Sequence, residues 1–334
     1  MGLFRYTIRR LLQAVPVLLG ILTITFLLTD AMPGDPVSIM LGPSPSARMA
    51  EQVRAKFGLN RPLYVRYLNY VADVVLHANL GRSLYYNVPV TQKILERLPV
   101  TLLLMLSSFA FALATAVPLG VISAKRRNQP TDHVSRVVAL IGVSTPSFWI
   151  GLMLIIIFAF HLNWLPATDL VLPWADPGSV EGATTRLDVL VQAGRHLLMP
   201  MVSLGTLQMA AIMRIERSSM LEVLGKEYVK LARAYGVPER TIVRKHAFQN
   251  AQLPVITVVG LQLSSAIGGA VLTETVFNIN GLGRLIITAV NNQDIQLIMG
   301  TTFVFGLVFV IGVILTDLSY AYIDPRVSYG EEVD

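Results

Sequence analysis

The feature that most constrains this chain is a set of six long apolar runs, beginning near Leu11, Val100, Val137, Leu197, Leu253 and Leu297. Each approaches the roughly 20 residues that a helix needs to cross about 30 Å of hydrocarbon. Lipid offers the backbone no hydrogen-bond partners, so such a run is read as a helix. Of 334 residues, 53% are hydrophobic and 14% charged, well under the roughly 25% charged of a soluble domain. The expectation is an all-α, polytopic membrane protein with six transmembrane helices.

The first run, LLQAVPVLLGILTITFLL, follows Arg5, Arg9 and Arg10, and Thr29 and Ala31 stand at a signal-cleavage spacing. It is longer than a typical signal h-region, so an uncleaved helix is expected. The fourth run, LLMPMVSLGTLQMAAIM, is short and carries Pro200 and Gln208, which packing against other helices would accommodate.

Charge placement sets the orientation. With the N-terminus inside, the cytoplasmic segments collect Arg5, Arg9, Arg10, Lys125, Arg126, Arg127, Arg136, Arg214, Arg217, Lys226, Lys230, Arg233, Arg240, Arg244, Lys245 and Arg326. The short external loops hold only Arg186, Arg195 and Arg284, and the long 29–99 segment is exempt from the rule. Both termini are expected on the cytoplasmic side. The net charge of +6 is therefore topological and calls for no nucleic-acid partner.

The chain divides into residues 1–28, a cytoplasmic tip and first helix; 29–99, an external cap; 100–323, a transmembrane core with a cytoplasmic loop at 214–252; and 324–334, a cytoplasmic tail. The cap carries PGDP and a helical pattern of Leu63, Tyr67, Tyr70, Val71 and Val74. A second external loop, 161–196, holds Trp164 and Trp174, placed at the membrane interface.

Covalent chemistry finds no footing. Cysteine is absent, the five histidines (His77, His133, His161, His196, His246) are scattered, and neither H-E-x-x-H nor G-x-S-x-G occurs. There is no G-x-x-x-x-G-K-[ST], and Gly281 with Gly283 is only a fragment of a dinucleotide fingerprint. No enzyme and no cofactor is expected of this chain; if ATP drives it, another subunit binds the ATP and magnesium.

The most informative segment reads EYVKLARAYGVPERTIVRKHAFQNAQLP, within 214–252. Tyr228, Leu231, Ala232 and Tyr235 recur at i, i+3, i+4 and i+7, giving one apolar stripe. Gly236 can take a left-handed C-terminal cap and Pro238 cannot continue a helix. Such a helix either lies among lipid headgroups or docks into another protein, for which the small Ala232 and Ala234 favour close approach.

At this loop the sequence resembles the permease subunits of ABC importers, whose shared signature is an EAA-type motif with a glycine. Aligned on Gly236, this chain has Lys230, Leu231 and Ala232 where the family has Glu-Ala-Ala. The dipeptide/oligopeptide branch is similar at Ala232-Arg233-Ala234-Tyr235-Gly236 and also at PGDP (33–36), FGLNRPL (57–63), NLGRSL (79–84), RSSMLEVLGKEY (217–228) and LTETVFNINGLGRL (272–285). The resemblance covers nearly the whole chain. It implies a type I ABC importer permease fold in the bacterial inner membrane, a second homologous permease, two cytoplasmic ATPase subunits and an extracytoplasmic peptide-binding protein. It places ATPase coupling on Glu227, Tyr228, Leu231, Ala232, Arg233, Ala234, Tyr235, Gly236 and Val237. Relatives in the branch also move glutathione, nickel chelates or oligosaccharides.

For the translocation path the candidates are Gln208, Gln262, Ser265 and Glu274, each with a plainer reading. The glutamines bond either a passing peptide backbone or a neighbouring helix. Ser264 and Ser265 precede Gly268 and Gly269 by four residues, a spacing that suits tight helix packing. Asp30, Glu274 and Asp317 lie near the ends of apolar runs, whereas a proton or sodium relay sits mid-span. An ion-coupled secondary transporter is thus the alternative that Glu274 must answer for, against a buried carboxyl that pins the external loop. A third reading is a non-transporting scaffold whose basic loop binds lipid.

Overall fold

In the structure, a computed structural model, apolar runs become helices longer than the runs themselves. Residues 3–31, 46–56 and 60–323 are described; PGDP, the start of FGLNRPL, Arg326, the tail 324–334 and the side chains of Ser264 and Ser265 lie outside the described residues.

The order is α1 (Leu3–Asp30), α2 (Ala47–Lys56), α3 (Leu63–His77), α4 (Val90–Lys125), α5 (Pro130–Ser144), α6 (Ser147–Leu154, continuing as a π-helix over Ile155–His161), α7 (Arg186–Leu224), α8 (Glu227–Ala234), α9 (Phe248–Val276), α10 (Leu282–Asn291) and α11 (Ile295–Ile323). Among the described residues the extended pairing is a single antiparallel bridge, Arg82 with Pro89. Among the described residues four helices are long and apolar enough to cross a membrane, or up to six spans when each of two bent pairs is counted as one.

The third expected span differs from a straight helix. Between α5 and α6 the axis bends by 106°, because Thr145 precedes Pro146. The proline ring excludes the helical region for the residue before it, and Thr145 is extended at φ −99°, ψ 126°. The fourth span also differs, since α7 starts at Arg186, well before Leu197. A reciprocal cap explains the early start: Thr185 N–H donates to Asp188 Oδ2 at 2.8 Å, and Asp188 N–H donates to Thr185 Oγ1 at 3.2 Å.

The described residues form two compact units, one within 9–101 and 280–310, the other made of 3–8, 102–279 and 311–323. In the first unit, Leu22 of α1, Val74 of α3, Val90 and Ile94 of α4, Leu282 and Leu285 of α10 and Leu297 of α11 share one buried cluster. The α3 stripe turns Val74 and Tyr67 inward, and the Tyr67 hydroxyl meets Thr23 Oγ1 at 2.6 Å. Arg66 pairs with Asp30 at 2.8 Å, fastening the same helix to the end of α1. Leu63, by contrast, is exposed. The NLGRSL motif makes the turn into α4: Gly81 is left-handed at φ +83°, and Val90 N–H donates to its carbonyl at 3.0 Å.

In the second unit α7 is the helix that the others pack on. Without water to drive burial, helices in lipid associate by close packing over small residues. A methyl group on Gly142 of α5 would lie 2.9 Å from Ala210 Cβ, one on Gly151 of α6 3.0 Å from Ser203 Oγ, and one on Gly269 of α9 2.8 Å from Leu204 Cδ1. The expected tight packing thus holds at Gly269, whereas Gly268 faces no atom within 4 Å.

Candidate functional site

The α8 helix is a short knob mounted on the end of α7. Gly225 and Lys226 make the connection, with Lys226 N–H bonded to Val223 O at 3.1 Å. Its one buried side chain is Val229, and the helix packs on the π-helical turn Ile242–Ala247 that leads into α9. The Tyr228 hydroxyl donates to His246 O at 3.3 Å, tying helix and turn together.

The apolar stripe expected from the sequence points outward: Tyr228 is 44%, Leu231 57% and Tyr235 80% exposed. The helix end is a Schellman cap. Val237 N–H donates to Ala232 O at 3.1 Å and Gly236 N–H to Arg233 O at 3.0 Å, with Gly236 at φ +74°. A side chain on Gly236 would meet nothing within 4 Å, so the glycine is required for its conformation, and its surroundings are open.

Charges brace the knob at both ends. Lys226 reaches Glu222 at 2.8 Å and Lys230 reaches Glu227 at 2.7 Å. Arg233 grips Glu239 through Nε and Nη2 at 3.1 and 2.9 Å. These partners raise the Lys226 ammonium and the Arg233 guanidinium above their ordinary pKa ranges, chiefly by the hydrogen bonds they donate. Being exposed and screened by water and salt, these pairs set the geometry of the knob more than its stability. Ala232 and Val237 are half-buried, while Glu227, Ala234 and Gly236 are exposed. All nine residues of 227–237 singled out above therefore sit on this one knob.

The membrane-buried polar residues are placed differently. Gln208 on α7 is 3% exposed, and its Oε1 has no partner among the described residues. Gln262 on α9 is half-buried. Two contacts set the register of these antiparallel helices, Leu204 with Gly269 and Glu216 with Gln252, and they put Gln208 at the level of Gln262 to Ser265. Glu274 is buried and engaged by neighbours. Close to it in sequence, the end of α9 holds the loop 161–196: Asp169 N–H donates to Phe277 O at 2.9 Å, and Asn278 Nδ2 donates to Asp169 Oδ1 at 2.9 Å.

Two buried polar contacts escaped sequence reasoning. Arg217, counted above only as a topogenic charge, forks onto Asp132 at 2.7 and 2.9 Å. Beside it, Glu216 accepts from Gln252 Nε2 at 3.2 Å. The available signal was a carboxylate three residues after a Gln129-Pro130 helix start, beside an apolar run where a lone charge is costly.

The chain matches the family described as "Binding-protein-dependent transport system inner membrane component" over residues 116–329, and the N-terminal component of the same system over residues 3–107. It is 39% identical over 325 residues to the oligopeptide transport system permease protein AppB of Bacillus subtilis (strain 168), covering 97% of this chain and 99% of that protein. It is 35% identical over 338 residues to the dipeptide transport system permease protein DppB of Escherichia coli (strain K12), covering 98% and 99%. A chain of the inward-facing MetNI methionine ABC transporter superposes with a TM-score of 0.53 at 16% identity, covering 70% of this chain and 97% of that one. The architecture is the all-α type I importer permease fold. From the family match and the near full-length relatives, the chain belongs to the family of binding-protein-dependent transport system inner membrane components.

Proposed function

We propose that this chain is one half of the translocation path of an ATP-driven peptide importer in the bacterial inner membrane, with both termini cytoplasmic. A second permease completes the path, two ATPase subunits bind ATP and magnesium, and an external binding protein delivers the peptide. The observation that carries this reading is α8: an apolar, outward-facing stripe on a capped helix, anchored through Val229 and braced at both ends. Relatives named for dipeptides and oligopeptides support the substrate class.

In this mechanism the chain does no covalent chemistry. ATP binding closes the partner ATPases, each α8 is carried with its cleft, and the permease pair tilts from inward-open to outward-open. Tyr228, Leu231 and Tyr235 supply the contact, and the Gly236 turn sets the angle at which they are presented. Gln208, Gln262, Ser265 and Glu274 remain the path candidates. Gln208, buried between helices, would have to act by shaping the path from behind.

Gly236→Trp tests the docking role. Tryptophan there forces a left-handed conformation on a side chain that resists it, at about 1 kcal/mol or more, and adds bulk beside the stripe. The expected result is loss of co-purifying ATPase and of transport-stimulated ATP hydrolysis, with the permease still in the membrane. Unaltered coupling overturns the role of α8. The ion-coupled alternative, favoured by buried Glu274, predicts uptake by the purified chain in liposomes under a proton gradient without any ATPase.

A further inference from the structure

Two turns before α7 ends, the adjacent residues Glu216 and Arg217 reach three other helices. Arg217 Nε and Nη2 donate to the two oxygens of Asp132, the third residue of α5, and Ser123 Oγ on α4 donates to the same carboxylate at 2.6 Å. Asn128 N–H donates to it at 2.9 Å, and Arg136 Nε of α5 lies 3.9 Å away. Asp132 and Ser123 are fully buried, and the Arg217 side chain is only 18% exposed. On the other side, Glu216 meets Gln252 of α9 and crowds Gly120 of α4, where a methyl group would lie 2.6 Å from Glu216 Cγ.

The turn between α4 and α5 is itself tight. Asn128 is left-handed at φ +62°, and Gln129 N–H and Asp132 N–H close successive turns at 3.0 Å. The end of α4, the turn and the start of α5 therefore act as one hairpin. In contrast, α7 carries Pro200 within its length, a place where a helix bends because a hydrogen bond is missing. Left alone, the cytoplasmic half of α7 would tilt about Pro200 when α8 moved, and the motion would end there. A buried, bidentate ion pair resists that, since separating it breaks two short charge-assisted hydrogen bonds and leaves the carboxylate only the longer contact to Arg136 at 3.9 Å.

We infer that Asp132 and Arg217 are positioning residues for coupling, joining the α4–α5 hairpin to α7 so that displacement of α8 moves all three helices as one body. This rests on the reading of α8 as the ATPase-docking helix. Ser123 orients the carboxylate, and the Glu216–Gln252 contact extends the same level to α9.

The chain has no cysteine, so two introduced cysteines, labelled before the complex is assembled, are the thiols at which it carries spin labels. Labels at Arg127→Cys and Ser218→Cys, both exposed, report the distance between the hairpin and the last turns of α7. The expected distance is the same in nucleotide-free and ATP-trapped complexes, and in Asp132→Asn it differs between the two states. Dipeptide uptake per ATP hydrolysed, measured on equal amounts of assembled complex in vesicles, should fall about tenfold in Asp132→Asn, within the range of ordinary coupling energies. Arg217→Lys, which keeps the charge but loses the fork, should fall less and serves if the asparagine variant does not fold.

A merely structural pair would lower the yield of complex and leave both the distance and the uptake ratio unchanged. That outcome overturns the inference, as does a wild-type distance that changes between the two states. Absence of ATP-dependent uptake in the wild-type complex would instead remove the transporter reading itself.

Discussion

Membranes from cells expressing Gly205→Leu should contain little folded permease. Gly205 is where α7 meets α4. A first side-chain carbon there would lie 2.8 Å from the carbonyl oxygen of Ser108 and 2.8 Å from Phe111 Cδ1. The phenylalanine ring has room to rotate, but the carbonyl is part of a helix backbone and retreats only if α4 moves. Overpacking of this kind costs about 1–3 kcal/mol and occasionally more, and leucine adds three further carbons beyond the first. Ala112, Ala116 and Ala210 are buried in the cluster alongside, so the added carbons meet packed neighbours. The check is the amount of monodisperse permease extracted in mild detergent. Gly194→Leu is the matched control: it lies on the same helix, and a side chain there meets nothing within 4 Å. Equal yields of the two variants would contradict the packing argument.

The second large effect is expected at Asp294. This fully buried carboxylate accepts from Ser83 Oγ at 2.5 Å and from Tyr85 N–H at 3.1 Å on one oxygen, and from Leu297 N–H at 3.2 Å on the other. It caps α11 and at the same time holds the NLGRSL turn. Alanine removes a helix cap worth about 1 kcal/mol and strands buried donors at about 1–3 kcal/mol each, so a loss of about 3 kcal/mol is anticipated. Asp294→Asn keeps a carbonyl oxygen for one side of the network and should fall between. Thermal unfolding of the purified chain checks the order wild type, asparagine, alanine. Limited proteolysis across residues 79–89 tests whether the turn is what loosens first. An alanine variant that melts with the wild type refutes the assignment.

The helices and the α8 cap could be read from sequence because their causes are local. Apolar length makes a spanning helix, and a glycine two residues before a proline ends a short one. What stayed hidden depends on distant partners. Nothing near Asp132 in the sequence announces Arg217, 85 positions later, and both charges look like ordinary cytoplasmic flanks. The outward turn of Tyr228, Leu231 and Tyr235 was also hidden. Periodicity shows that residues share a face and is silent on which way the face points; the buried Val229 decides it. The 106° break was locally encoded at Thr145-Pro146, but hydropathy alone joins the two halves into one run. The loop 161–196 illustrates the limit most clearly, since Asp169 and Asn278 hold it to the end of α9 with no pattern linking them.

The break at Thr145-Pro146 also bears on how the protein is made. Beyond it, the stretch Ser147–His161 rises no more than about 22 Å at 1.5 Å per residue, short of the roughly 30 Å of hydrocarbon. On the other side, α5 begins with a carboxylate whose bidentate partner, Arg217, is synthesised only when α7 emerges, while Arg136 of its own helix stands 3.9 Å away. Neither half is therefore self-sufficient as it leaves the translocon. The expected result is that this segment settles across the membrane only with α7, the middle helices entering lipid as a group.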